Sequence, residues 1–234
     1  MKLAVMQPYF FPYIGYFQLI NAVDKFVMYD DVTFIKQGWI NRNRILVKGS
    51  SFYFTVPLSN QSSNQPIRDT KIHQDQFAIF KRKFLKQISQ EYKAAINFNA
   101  VFGLISNLLE KDFVYINEIC LSSIRHVCDY LGVETDIVNS SKFYSNSQLQ
   151  SQERIMDICK IENADEYLNL SGGIELYQKD LFNENGIDLK FIRSKEIQYK
   201  QFDNEFVPWL SIIDVMMFNE VEAINKMLDD YELL

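Results

Sequence analysis

Residues 3–29 run through a pattern that a chain can fold in only a few ways. Leu3 to Met6 is a short apolar run and reads as a buried strand, as first strands of parallel sheets do. Gln7 to Pro12 is barred from regular structure, because Pro8 and Pro12 lack an N–H and restrict the residue before each. A helix is predicted over Gly15 to Ala22, with Tyr16, Leu19, Ile20 and Val23 at helical spacing. Lys25 to Tyr29 is a second β-rich run, ending in Asp30-Asp31. Strand, loop, helix, strand is a minimal βαβ unit. The loop after its first strand lies at the carboxyl edge of the sheet, where ligands of such sheets bind. Gln7, Tyr9 and Tyr13 are therefore expected beside Asp30 and Asp31.

The rest of the chain extends that beginning. Thr33 to Asn43 reads as an exposed loop. Ile45–Val47 and Phe52–Pro57 read as a hairpin around Lys48-Gly49-Ser50-Ser51. The polar run Asn60 to Gln65 is expected to be a mobile loop, and Asp69 to Ile72 one more short strand. From Asp75 to Tyr130 apolar residues recur at three and four, which predicts a helical lobe broken near Tyr92–Asn99. Strands are then expected at Thr135–Asn139, Glu166–Leu170 and Leu189–Ile192, and helices at Gln152–Ile161, Ile174–Glu184, Trp209–Phe218 and Val221–Leu228. The expected fold is α/β: a parallel or mixed Rossmann-like sheet in one domain over 1–234, with the helical lobe 75–130 inserted in the middle of the chain.

A net charge of −6 argues against a whole-surface attraction to nucleic acid or acidic lipid. A local basic patch can still hold a phosphorylated small molecule, since nearby charge dominates once salt screens the rest. Aromatic residues make up 15%, with 19 Phe and 13 Tyr, which suits a rigid core and equally a pocket for a flat ligand. Cys120, Cys128 and Cys159 form no C-x-x-C pair and read as core residues. Two prolines and Gln7 interrupt the first residues, so no signal peptide is expected. No window approaches the roughly 18 apolar residues of a membrane span. Cytoplasmic location and no integral membrane association are the resulting expectations.

The densest chemical signal is Lys36-Gln37-Gly38-Trp39-Ile40-Asn41-Arg42-Asn43-Arg44. Arg presents a planar fork that fits phosphate or carboxylate, Lys a point charge, and Trp39 a face for a base or sugar. The alternative is a solvated charged turn with Trp39 tucked into the core. Asp30 and Asp31 at a strand end can hold Mg²⁺ or act as a base, or they can pair with Arg42 or Arg44. His73 and His126 are far apart, so neither a His-based triad nor a zinc site is supported. Ser171-Gly172-Gly173 between a strand and a helix can offer backbone N–H groups to an anion. Asp214 in a very apolar helix needs a partner, for which an ion pair is the common solution.

Several of these stretches resemble the WbqC-like protein family. They are Gln7-Pro8-Tyr9-Phe10-Phe11-Pro12-Tyr13, Gly15-Tyr16-Phe17, Asp30-Asp31-Val32, and Lys36 with Gly38-Trp39-Ile40-Asn41-Arg42-Asn43-Arg44-Ile45. Glu166-Tyr167-Leu168, Gly172-Gly173, Leu176-Tyr177, Tyr199-Lys200-Gln201 and Leu210-Ser211-Ile212-Ile213-Asp214 carry the resemblance nearly end to end. The family's pattern admits His where this chain has Gln7, which argues against His-dependent chemistry there. The resemblance implies a role in O-antigen-type surface polysaccharide biosynthesis, with transfer of an acyl or aminoacyl group such as glycine to the amine of a nucleotide-linked amino sugar. Residues and resemblance together nominate Asp30, Asp31 and Gln7 as catalytic groups. They nominate Tyr9, Tyr13, Lys36, Trp39, Asn41, Arg42, Arg44, Gly172, Gly173, Tyr177 and Gln201 for substrate, and no metal ligands. ATP with Mg²⁺ is one way to activate the acyl donor; the expected partner is a small molecule, not nucleic acid. A non-catalytic sugar-nucleotide-binding protein and a nucleotidyltransferase-like enzyme are the alternatives.

Overall fold

The structure is a computed structural model that describes residues 1–59, 65–203 and 205–234. The polar run expected to be mobile, residues 60–64 above all, lies outside the described residues. Strand β1 (Lys2–Met6) pairs in parallel with β2 (Lys25–Met28), from Leu3 opposite Lys25 to Met6 opposite Met28. Helix α1 (Ile14–Asn21) crosses between them, so the opening βαβ unit forms as its pattern predicts. A hairpin follows, β3 (Arg42–Val47) with β4 (Ser50–Thr55). Lys48 and Gly49 make its two-residue turn with φ of 50° and 74°, the two positive values of a type I′ turn that matches strand twist.

The helical lobe comprises α2 (Gln74–Tyr92), α3 (Phe98–Glu110) and α4 (Ile116–Leu131). Glu118 caps the start of α4 by accepting the N–H groups of Val114 and Tyr115 at 2.8 and 2.9 Å. The chain then returns to the sheet with β5 (Asp136–Val138), α5 (Ser151–Ile161), β6 (Glu166–Leu170), α6 (Lys179–Glu184), β7 (Asp188–Ser194), α7 (Ile212–Phe218), α8 (Val221–Leu228) and β8 (Tyr231–Leu233).

The main sheet has the order β5-β2-β1-β6-β7-β8, parallel except for β8, which runs against β7. Side chains alternate across it as strand geometry requires. Leu3, Val5, Val27, Tyr167, Leu189 and Phe191 face one layer with Ile155, Ile158 and Phe182 of α5 and α6. Ala4, Phe26, Met28, Leu168 and Ile192 face the other, with α1, the lobe, α7 and α8. Both faces are buried, which is the mixed, Rossmann-like α/β architecture. No helix among the described residues is long and apolar enough to cross a membrane.

Three local expectations are corrected, and one strand was not expected. Asp69–Ile72 is no strand: Ile67–Asp69 is a 3-10 turn, and Lys71 and Ile72 make only isolated bridges, too short to propagate. Ser171–Leu176 is also a 3-10 turn, and the helix starts only at Lys179, because Leu176 is exposed and offers no apolar stripe. α7 starts at Ile212 rather than Trp209, since Trp209 has φ of 60° and the Ser211 hydroxyl accepts the Ile213 N–H at 3.3 Å as a cap. Strand β8 escaped notice because three residues carry no readable period.

Candidate functional site

The loop after β1 is pinned from several sides. Phe11 has φ of 44°, and its carbonyl accepts hydrogen bonds from Asn43 Nδ2 and Ser211 Oγ, both at 2.7 Å. Phe10 N–H bonds Ile40 O at 3.0 Å, Phe11 N–H bonds Ser123 Oγ at 3.2 Å, and Ile212 N–H bonds Pro12 O at 2.9 Å. Phe10 and Phe11 fill the core, and Tyr9 and Tyr13 are left as walls of a hollow of about 190 Å³. Pro12, Trp39, Asn43, Arg44 and Trp209 complete it. Burial pushes the Tyr13 phenol up to about 12 and raises that of Tyr9, so both stay protonated at neutral pH and act as donors, not bases.

Arg44 is the charge in this hollow. Its Nη2 donates to Trp209 O at 2.9 Å, its guanidinium lies 5.4 Å from the Trp39 ring centre, and its buried Nε has no partner. A guanidinium lining an aromatic-walled hollow is a group suited to an anion. Trp39 stacks on Tyr53 with ring centres 6.1 Å apart, and Tyr13 meets Trp209 edge-on at 6.1 Å. Trp39 is thus exposed over the hairpin rather than tucked into the core.

The basic stretch divides into different tasks. Arg42 donates its Nε to Gly38 O at 3.0 Å and also bonds Gln37 O, so it braces its own loop and stacks on Tyr53. Asn41 is buried and donates to Val56 O at 2.8 Å. Lys36 is exposed and does not line the hollow. Neither Arg42 nor Arg44 pairs with the Asp30-Asp31 acids among the described salt bridges.

The carboxylates lie in another hollow, of about 410 Å³, lined by Asp30, Arg68, Tyr115, Asn117, Ser140 and Lys142 among others. No residue lines both hollows, so the adjacency expected of Tyr9 and Tyr13 with the acids stops at the neighbouring strand ends. Asp30 accepts from Ser140 Oγ at 2.6 Å and from Asn117 Nδ2 at 3.0 Å. Burial raises its carboxyl above the usual range, against the pull of those two hydrogen bonds. Asp31 forms a buried ion pair with Arg154 at 2.6 Å and also accepts from Ser141. Each of the four carboxylate oxygens already holds a donor. Among the described residues no group of three or more His, Cys, Asp or Glu is placed to hold a metal ion. With every oxygen already engaged, this donor set does not fit Mg²⁺.

The remaining nominated residues sit elsewhere. Gln7 is half-buried at the end of β1, where its carbonyl accepts the Tyr16 hydroxyl at 2.9 Å. Gly172 and Gly173 belong to the 3-10 turn after β6, and no long helix begins there to aim N–H groups at an anion. Tyr177 packs on Tyr167 at 5.8 Å and accepts from Asn169 Nδ2 at 3.1 Å, closing the end of β6. Gln201 is fully engaged inside the fold, with Asp214 Oδ2 at 2.7 Å and both backbone polar groups of Val207. Among the described residues Asp214 has no ion pair: Tyr92, Tyr199 and Gln201, three neutral donors, surround it, and burial raises its carboxyl. Neutral donors serve here because a buried carboxylate needs hydrogen bonds more than a countercharge.

Three wall residues were not nominated, Pro12, Asn43 and Trp209. Trp209 left one sequence signal, being one of only two tryptophans, and both line this hollow.

Among known proteins, the chain is 28% identical over 225 residues to an uncharacterized protein, Rv1507c, of Mycobacterium tuberculosis, covering 95% of each. No solved structure gives a significant match. The sequence pattern of the WbqC-like protein family matches residues 7–226, which takes in the Tyr9–Tyr13 loop, the Trp39–Arg44 stretch and Trp209 alike. The chain therefore belongs to the WbqC-like protein family.

Proposed function

We propose that this protein works in surface-polysaccharide biosynthesis on a nucleotide-linked amino sugar, and that the Tyr9, Tyr13, Trp39, Arg44 and Trp209 hollow is the cradle for its ring and phosphate. Membership of the WbqC-like family points to the polysaccharide role. The observation that carries the cradle is that Arg44 lines one hollow with two tryptophans, its guanidinium 5.4 Å from the Trp39 ring centre. An enclosed cavity of about 150 Å³ admits one benzene ring, so this open hollow of about 190 Å³ has room for a ring. The phosphate then lies on Arg44, outside the stacked ring.

The reaction we assign is acyl or aminoacyl transfer. The neutral sugar amine attacks the acyl carbon of an activated donor, the C–N bond forms, the bond to the leaving group breaks, and the amine proton passes to a carboxylate. Asp30 suits this better than Asp31, because burial raises its carboxyl above the usual range, whereas Asp31 is held in an ion pair with Arg154. A second reading has an observation in its favour: the acids and the cradle share no lining residue, as a binding protein without chemistry would allow.

Titration with nucleoside diphosphate sugars, followed by tryptophan fluorescence, tests the cradle. Arg44→Gln should weaken binding about 10- to 100-fold, the worth of a charge-assisted hydrogen bond. Absence of any nucleotide response in the unaltered protein would remove the proposal. Asp30→Asn separates the two readings: turnover lost with binding kept marks an enzyme, and pathway function kept marks a binding protein.

A further inference from the structure

Strand β4 pairs with β3 alone among the described residues, so its other side is a free sheet edge. Val56 N–H bonds Asn41 O at 2.8 Å, which fixes the alternation along the hairpin. Phe52 and Phe54 turn their backbone groups toward β3, and Ser51, Tyr53 and Thr55 turn theirs outward. Among the described residues no other backbone group bonds those three. Every β4 residue except Phe54 is exposed. Edges of this kind are normally blunted by a charge, a proline or a bulge. Ser50-Ser51-Phe52-Tyr53-Phe54-Thr55 has no charge and no proline, and its register with β3 is unbroken.

Helix α2 packs beneath the hairpin through Phe84 on Phe54, ring centres 4.7 Å apart. Beside Thr55 it leaves an open hollow of about 320 Å³. Gln76, Ile79, Phe80 and Lys83, one helical stripe, line it with Pro57. Ile79 and Phe52 are 44% and 48% exposed. We propose that this edge docks an extended segment of a partner protein, added to the hairpin as a third strand, with apolar and acidic side chains toward α2. The added backbone would satisfy the outward groups of Ser51, Tyr53 and Thr55, and alternate side chains would fall on the α2 stripe. Charge selects the acidic partner. Helix α2 carries Lys81, Arg82, Lys83 and Lys86 against Asp75 and Glu91, in a chain of net charge −6. None of those four cations is in a salt bridge among the described residues. A second copy fits less well: antiparallel pairing of two β4 edges about a twofold axis sets both α2 helices on one side of the joined sheet, bringing like charges together.

The probe is the capped heptapeptide Thr-Val-Thr-Glu-Thr-Glu-Thr. Laid antiparallel to β4, it puts its valine over Ile79 and Phe80 and its glutamates toward Lys83 and Lys86. Titration into the full chain should shift the amide NMR signals of Ser51, Tyr53 and Thr55. N-methylation of the third and fifth peptide residues, whose N–H groups face β4, should weaken binding about 10-fold or more, since two hydrogen bonds are lost. N-methylation of the second and fourth, which face away, should leave it unchanged. Lys83→Glu, at an exposed position, should weaken binding about 3- to 10-fold with an unaltered melting curve. No binding of the unmodified peptide, or equal losses from the two N-methylated ones, would overturn strand addition. A dimer in sedimentation that the peptide disperses would overturn the acidic partner in favour of a second copy.

Discussion

Arg154→Met should cost this protein about 3–5 kcal/mol of folding stability, the loss typical when one partner of a buried ion pair is removed. Arg154 and Asp31 are 4% and 6% exposed at the side chain, with Nη2 and Oδ2 2.6 Å apart. The guanidinium also bonds Asn146 Oδ1 at 2.9 Å and lies 5.0 Å from the Tyr29 ring centre. Removing it leaves Asp31 charged and buried, with the Ser141 hydroxyl as its remaining donor. In a chain of this size each kcal/mol moves the melting temperature about 2–4 °C, so a drop of about 6–20 °C is expected. Urea unfolding at neutral pH, followed by circular dichroism, measures the free energy directly. The double change Asp31→Leu with Arg154→Met removes both charges and should recover most of the loss, because the penalty belongs to the orphaned carboxylate. A loss under about 1 kcal/mol for the single change, or a double variant no more stable than the single one, would refute the reasoning. The same pair ties the segment after β2 to α5.

Gly15→Ala should keep the fold yet lower nucleotide affinity about 10-fold, because its Cβ would lie 2.4 Å from the Tyr13 ring and push that ring off the hollow's wall; fluorescence titration beside a melting curve separates the two effects. Asp30 holds its proton to higher pH when folded than when unfolded, so stability falls as pH rises from the ordinary carboxylate value to the raised one and is level beyond it. Asp30→Asn should flatten that part of the profile, read from urea midpoints across the acid range, and an unchanged profile would contradict it. Tyr92→Phe orphans the Leu46 N–H, bonded at 2.7 Å, and removes a donor from Asp214, also at 2.7 Å. Each loss should cost about 1–3 kcal/mol in the same unfolding assay.

Much of the fold was legible because period carries it. The continuously buried runs Leu3–Met6 and Glu166–Leu170, and three-and-four spacing through α2 to α4, arise from local geometry that the sequence displays. The breaks were legible where a backbone needs special residues, as at Lys48-Gly49 and Gly132, whose φ is 71°. What blurred were segments held by distant partners. Ser171–Leu176 and β8 take their form from the strands they lie on, and no local pattern announces that.

The candidate site divides along the same line. Sequence alone nominated arginines, an indole and phenols for a site at the mouth of the opening strands, since the Pro8–Pro12 loop follows the first of them and the Trp39–Arg44 stretch comes after the second. Only the tertiary structure decided that Arg44 rather than Arg42 faces the hollow, that Asp31 is consumed by Arg154, and that Trp209 crosses from the far end of the chain to form a wall. Residue type sets which interactions a side chain can make. Which one it does make is settled by competition among partners that are remote in sequence and adjacent only after folding.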